Sequence, residues 1–181
     1  AMETVFSGNP WTTSFTEDSF GNIWIGTYRN GTFCFHKNQT PFQKSMSGKN
    51  IECMSTDHSG NYWIGSLNGE VCVLDSTQKQ IMGKTIFPND MIHTIYGQES
   101  SNKVWVGTMH GLYEAWIESN KQIVYQKTPG INIPSIRSIV QDSCFLWIAS
   151  YNNGVTLYNY STQQSVVTYK TDSEVLPLPS N

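Results

Sequence analysis

One phrase occurs four times in this chain. NIWIGTY (22–28), NYWIGSL (61–67), KVWVGTM (103–109) and FLWIASY (145–151) align on Trp24, Trp63, Trp105 and Trp147. The tryptophans are separated by 39, 42 and 42 residues, and a glycine follows each one after six or seven (Gly31, Gly69, Gly111, Gly154). Self-similarity at such a period means one supersecondary unit stacked on copies of itself, each burying its apolar faces against its neighbours.

A second run precedes each phrase: TTSFTED (12–18), IECMSTD (51–57), IHTIYGQ (92–98) and IRSIVQD (136–142), starting 12, 12, 13 and 11 residues before the tryptophan. The variation falls in the turn between the runs, where length changes are tolerated. Each unit therefore reads as four short strands. The first is the upstream run and the second is the Trp phrase. The third starts at the glycine (GTFCFHK, GEVCVLD, GLYEAWI, GVTLYNY), and the fourth is a weaker run (PFQKSM, KQIMGKTI, KQIVYQK, QQSVVTY). In DSFGN and DHSGN, Asp opens a tight turn through its side chain and Gly supplies the positive φ. On this reading Asp18, Asp57 and Asp142 are equivalent turn residues.

Charged residues make up 14% of the chain against a usual ~25%, while aromatics reach 13%. That balance suits strands, and nothing in the pattern needs a helix. Four antiparallel strands per unit of this length predict an all-β fold of propeller blades. In the second strand Ile23 and Ile25 share one face and Trp24 and Gly26 the other, so both faces are apolar, as in a sheet packed between two neighbours. The tryptophans are expected to wedge between blades, and Gly26, Gly65, Gly107 and Ala149 to make room for a bulky side chain of the adjoining blade. Ser14, Cys53, Thr94 and Ser138 are all small, which fits an innermost strand lining a narrow channel. The expected layout is a lead-in over 1–10, four blades over 11–170 (about 11–46, 51–87, 92–128 and 136–170) and a linker over 171–181.

The pattern D-x-x-G-N-x-W-I-G-T resembles the two-component regulator propeller repeat. EDSFGNIWIGTYRNG (17–31) is close to a consensus copy and DHSGNYWIGS keeps the pattern; ESSNKVWVGT lacks the turn glycine, and DSCFLWIAS departs further. The resemblance implies the periplasmic sensor region of a hybrid two-component system of gut Bacteroidetes. In that family two seven-bladed propellers and a small β-sandwich precede a membrane helix and a histidine kinase. Its members respond to oligosaccharides. On this resemblance the chain is expected to be a non-catalytic piece from the middle of a longer array, with any kinase outside it. The implied partner is an oligosaccharide.

Four blades of a larger ring leave two apolar faces open, which monomers rarely tolerate. The chain is therefore expected either to close as a four-bladed ring or to pair with a second copy into an eight-bladed one, the dimer burying both faces. A protein-interaction or dimerisation scaffold without a small ligand is the alternative to sugar sensing.

Other classes are excluded on composition and spacing. A net charge of −3, with nine Lys and two Arg scattered along the chain, gives no basic patch for nucleic acid. No run approaches the ~18 apolar residues of a membrane span, so no membrane contact is expected of this segment. Cys34, Cys53, Cys72 and Cys144 lack metal-type spacing and are expected to be buried thiols. No Ser, His and Asp set and no facing carboxylate pair emerges, so no catalytic residue, metal or cofactor is expected.

A ligand would meet the rim where the turns between second and third strands join the loops leading into each blade. There Tyr28 and Tyr151 can stack on sugar rings, and Arg29, Asn30, His110 and Asn152 can bond hydroxyls. Asn30, Asn68 and Asn153 precede glycines and also suit tight hairpins for conformational reasons alone.

Overall fold

The computed structural model describes residues 11–18, 20–35, 43–45, 48–75, 77 and 79–170. The expected lead-in (1–10) and the expected linker (171–181) lie outside them. Sixteen strands form four four-stranded sheets, each a meander in chain order. Blade one holds β1 (Trp11–Glu17), β2 (Ile23–Tyr28), β3 (Gly31–Phe35) and β4 (Gln43–Ser45). Blade two holds β5 (Ile51–Thr56), β6 (Tyr62–Ser66), β7 (Glu70–Leu74) and β8 (Gln80–Thr85). Blade three holds β9 (Ile92–Gly97), β10 (Lys103–Thr108), β11 (Gly111–Ile117) and β12 (Ile123–Lys127). Blade four holds β13 (Ile136–Asp142), β14 (Phe145–Ser150), β15 (Gly154–Asn159) and β16 (Gln164–Tyr169). The all-β propeller-blade fold expected from the repeat is the fold observed.

The motif residues build the first hairpin. Asp18 Oδ1 accepts from the backbone N–H of Phe20 (2.8 Å) and Asn22 (2.9 Å), while Oδ2 accepts from Asn22 Nδ2 (2.8 Å) and Trp24 Nε1 (3.2 Å). Asp57 repeats this with Ser59, Asn61 and Trp63, its Oδ2 taking the Trp63 indole N–H at 3.0 Å. Gly21 and Gly60 carry φ of 78° and 79° in these turns. Asp142 does not follow. Its hairpin has only Ser143 and Cys144 between strand ends, so no Asx turn forms, and Asp142 is exposed. The Thr or Ser next to the end of each Trp phrase closes the next turn: the hydroxyls of Thr27, Ser66, Thr108 and Ser150 donate to the carbonyls of Gly31, Glu70, Gly111 and Gly154.

Three cores join the four blades. Trp24 and Cys34 meet Ile51, Met54, Tyr62 and Ile64 between blades one and two. Trp63, Val71 and Val73 meet Ile92, Ile95 and Val104 between two and three, and Trp105 and Leu112 meet Ile136, Ile139 and Leu146 between three and four. Removing each such side chain from water contributes roughly 1.5–3 kcal/mol. The glycine of the Trp phrase receives an isoleucine from the next inner strand. A Cβ on Gly65 would lie 2.8 Å from Ile92 Cγ2, and one on Gly107 would lie 2.5 Å from Ile136 Cγ2. The same two Cβ atoms would strike Cys53 and Thr94, which gives those small first-strand residues a packing reason.

Among the described residues no core joins blade four to blade one, so the blades form an open arc and not the closed four-bladed ring. Trp147, buried in its three counterparts, is 38% exposed on the free face of blade four; Trp11 and Phe15 are 74% and 66% exposed on blade one.

Candidate functional site

The inner strands β1, β5, β9 and β13 share one irregularity. In each, the ladder to the second strand skips one residue: Thr13, Glu52, His93 and Arg137. Such bulges re-aim a side chain, and here those side chains reach the neighbouring blade. Thr13 Oγ1 donates to Ile51 O (2.6 Å), and Arg137 Nη1 lies 3.0 Å from His93 Nδ1. Because a guanidinium only donates, His93 Nδ1 is the acceptor and its proton sits on Nε2. Burial and then the Arg137 charge hold the His93 imidazole below its ordinary value, against the opposing pull of Asp90. Burial pushes the Glu52 carboxyl up, and Arg137 partly offsets this.

The second-to-third-strand turns and the blade-leading loops do share one rim. Leu67 N–H donates to Asn50 O, Met109 to Met91 O and Tyr151 to Ser135 O, and Ser135 N–H donates back to Met109 O across the seam. Tyr28, Arg29 and Asn30 occupy the blade-one turn, where Arg29 lies 5.2 Å from the Tyr28 ring and Tyr28 stacks at 6.0 Å on Trp11. Tyr151 and Asn152 occupy the blade-four turn; Tyr151 is 63% exposed and Arg137 lies 5.7 Å from its ring. Arg29 and Asn152 adopt positive φ, so their positions also answer to turn geometry.

Of the predicted rim residues, His110 lines a cavity. Its Nδ1 is 3.0 Å from Asp90 Oδ1, and both line a cavity of about 400 Å³ between blades two and three. Phe87, Tyr113 and Tyr125 form its aromatic wall. Phe87 lies 4.8 Å from each tyrosine ring, and the two tyrosines are 6.1 Å apart. Asp90 thus faces both this cavity and the bulged His93. Sequence reading missed Asp90, Tyr113 and Tyr125, which lie in positions with no counterpart motif. It also missed Glu52, His93 and Arg137, although each directly precedes the small first-strand residue and repeat alignment brings them into phase.

Residues 6–29 match the family described as two component regulator propeller. The match takes in β1 and β2 of blade one. Among solved structures, the chain is similar to the extracellular domain of a protein named as a hybrid two component system from Bacteroides thetaiotaomicron. The identity is 24%, the TM-score 0.73, and the match covers 94% of this chain and 24% of that one. It is similar also to the extracellular domain of one named as a one component system from the same organism (22% identity, TM-score 0.67, 92% and 23% covered). A third is named an auxiliary nutrient binding protein of Bacteroides thetaiotaomicron (15% identity, TM-score 0.69, 91% and 48% covered). The chain spans about a quarter of the first two and about half of the third. At these identities the likeness is one of fold. No curated protein matches the sequence. Among the described residues no helix is long and apolar enough to cross a membrane.

Proposed function

We propose that this chain is a non-catalytic ligand-binding segment of a periplasmic sensor propeller, part of a two-component system that responds to oligosaccharides. The observation that carries the reading is the rim cavity of about 400 Å³, where an aromatic wall meets the His110–Asp90 pair. Sugar rings present C–H faces that suit Tyr113 and Tyr125, and hydroxyls that suit a carboxylate, an imidazole and the Asn89 amide. Beyond the cavity, Arg137 reaches both His93 and the exposed ring of Tyr151. The names of the similar proteins, a hybrid two component system, a one component system and an auxiliary nutrient binding protein, support the reading. Signalling through such a site requires that the ligand bind two arrangements of the parent propeller unequally.

A thermal-shift panel of plant, host and microbial oligosaccharides tests it. At a hundredfold over its dissociation constant a true ligand stabilises by ~2.7 kcal/mol, a shift of several degrees at this size. The response is expected to vanish in Tyr125→Ala and to weaken in His110→Ala. A flat panel with the intact chain would set the oligosaccharide reading aside. A second reading, self-association through the free faces of blades one and four, is favoured by exposed Trp11, Phe15 and Trp147.

A further inference from the structure

We infer that the seam between blades three and four holds a second binding site, sized for one neutral polyhydroxylated ring. It goes beyond the rim reading and stands without it. A cavity of about 280 Å³ opens there, lined by Trp105, Glu114, Thr128, Tyr158 and Tyr160 among others. Two of those residues carry polar atoms that are buried and have no hydrogen-bond partner among the described residues: Trp105 Nε1 and Thr128 Oγ1. Trp105 is 2% and Thr128 5% exposed. Buried polar groups are rarely left so, and two on one cavity mark a place where something else supplies the partners.

The repeat explains how the Trp105 N–H comes to be unpartnered among the described residues. In blades one and two the same indole N–H donates to a carboxylate, Asp18 or Asp57. Blade three has Gln98 there. Its amide N–H donates instead to Glu114 Oε1 (3.0 Å), and its carbonyl accepts from Ser101 (2.7 Å). The Trp105 N–H is left facing no acceptor of its own blade.

The remaining groups select the ligand class. Glu114 accepts from Gln98, from Lys103 (3.1 Å) and from Gln126 (2.9 Å), which leaves lone-pair capacity for a further donor. Its charge turns away an anion, and Lys127 on the lining turns away a cation. The Tyr160 hydroxyl is engaged with Ser143 O (2.7 Å), so its half-buried ring faces the cavity, and the fully buried Tyr158, donating to Pro129 O (2.6 Å), backs the wall. A donor-only N–H, a hydroxyl, one acceptor and aromatic walls are met together by neighbouring hydroxyls on a carbon ring. Each such hydroxyl can accept from Trp105 or Thr128 while donating to Glu114.

Nitrogen-15 spectra of the six indole N–H groups read this directly, Trp105→Phe identifying the Trp105 signal. The probes are neutral monosaccharides and myo-inositol at millimolar concentration. The expected result is a saturable shift of the Trp105 signal with at least one probe, with those of Trp24 and Trp63 still. Thr128→Val and Glu114→Gln should each weaken binding about tenfold, the loss of one such hydrogen bond. Tyr125→Ala should leave the titration unchanged, which separates this site from the rim. The inference is overturned if no probe moves the Trp105 signal and it contacts ordered water only, or if Tyr125→Ala abolishes the shift. A flat oligosaccharide panel alongside a responsive Trp105 would defeat the rim reading and leave this one standing.

Discussion

The Tyr62 hydroxyl donates to Asp18 Oδ2 at 2.6 Å, tying blade two to the first hairpin turn of blade one. The Tyr62 ring lies 4.2 Å from that of Trp24, whose indole N–H donates to the same oxygen. Turn, tryptophan and neighbouring blade are thus held at one carboxylate. Tyr62→Phe removes a buried hydrogen bond to a charged acceptor and is expected to cost about 1–3 kcal/mol, read as a lower midpoint in urea. Because both act on one atom, Tyr62→Phe and Asp18→Asn should be markedly less than additive in a double-mutant cycle.

The same carboxylate sets an acid limit. Burial alone would push the Asp18 carboxyl up, but hydrogen bonds from Tyr62, Asn22 and Trp24 outweigh it and bring it from 3.8 down to about 2. With its folded value below its unfolded one, its contribution is complete above pH about 4 and is lost as pH falls through 2. Thermal midpoints followed downward across that window should fall more steeply in the native chain than in Asp18→Asn. Glu114, also held low by hydrogen bonds from Gln98, Gln126 and Lys103 despite its burial, leaves a residual slope in the variant.

Blade stacking depends on the missing side chain at Gly107. A Cβ there would stand 2.5 Å from Ile136 Cγ2 and 2.6 Å from Thr94 Cγ2, inside a core that cannot give way cheaply. Gly107→Ala is expected to destabilise by about 1–3 kcal/mol. Ala149→Gly, at the equivalent position on the free face of blade four, should change stability far less. Equal costs at the two positions, measured by urea unfolding, would mean that stacking is not what Gly107 serves.

The first hairpins were readable because their chemistry is local. Asp, Gly, Asn and Trp within one short segment satisfy each other, so the motif is its own explanation. The Trp-to-next-blade packing was readable from repetition. The Tyr62–Asp18 bond was not, since it joins two repeats and depends on a tyrosine only blade two has. Asp142 misled because sequence phase is blind to a hairpin shortened to two residues. The bulge that presents Glu52, His93 and Arg137 is a backbone irregularity that repeat phase locates but no residue type marks, and the rim aromatics Tyr113 and Tyr125 come together only through strand pairing.

Thiol reactivity should follow burial. Cys34, Cys53 and Cys72 are buried, whereas Cys144 is partly exposed in its short turn. Burial and a nearby Glu70 raise the Cys72 thiol to about 11, and burial raises Cys53 as well. The thiolate is the reactive form. The folded chain is expected to consume one equivalent of a thiol reagent quickly, at Cys144, and the others only on unfolding. Fast labelling of Cys53 would mean that the seam between blades two and three opens readily.

The free faces of the arc carry the last consequence. Trp147 and Val140 lie on blade four and Phe15 on blade one, all more than a third exposed, where the counterparts of Trp147 and Phe15 between blades are buried. Contiguous apolar area of this kind drives association, and two faces on one molecule can each find a partner. Light scattering is expected to give a mass above 20.4 kDa that rises with concentration. If pairing uses both faces at once, a two-fold dimer closes and the mass stops at twice the monomer; single-face pairing leaves an end free and the mass keeps rising. Trp147→Lys together with Phe15→Lys should return the chain to a monomer. A monodisperse monomer before any substitution would remove self-association as a role for these faces.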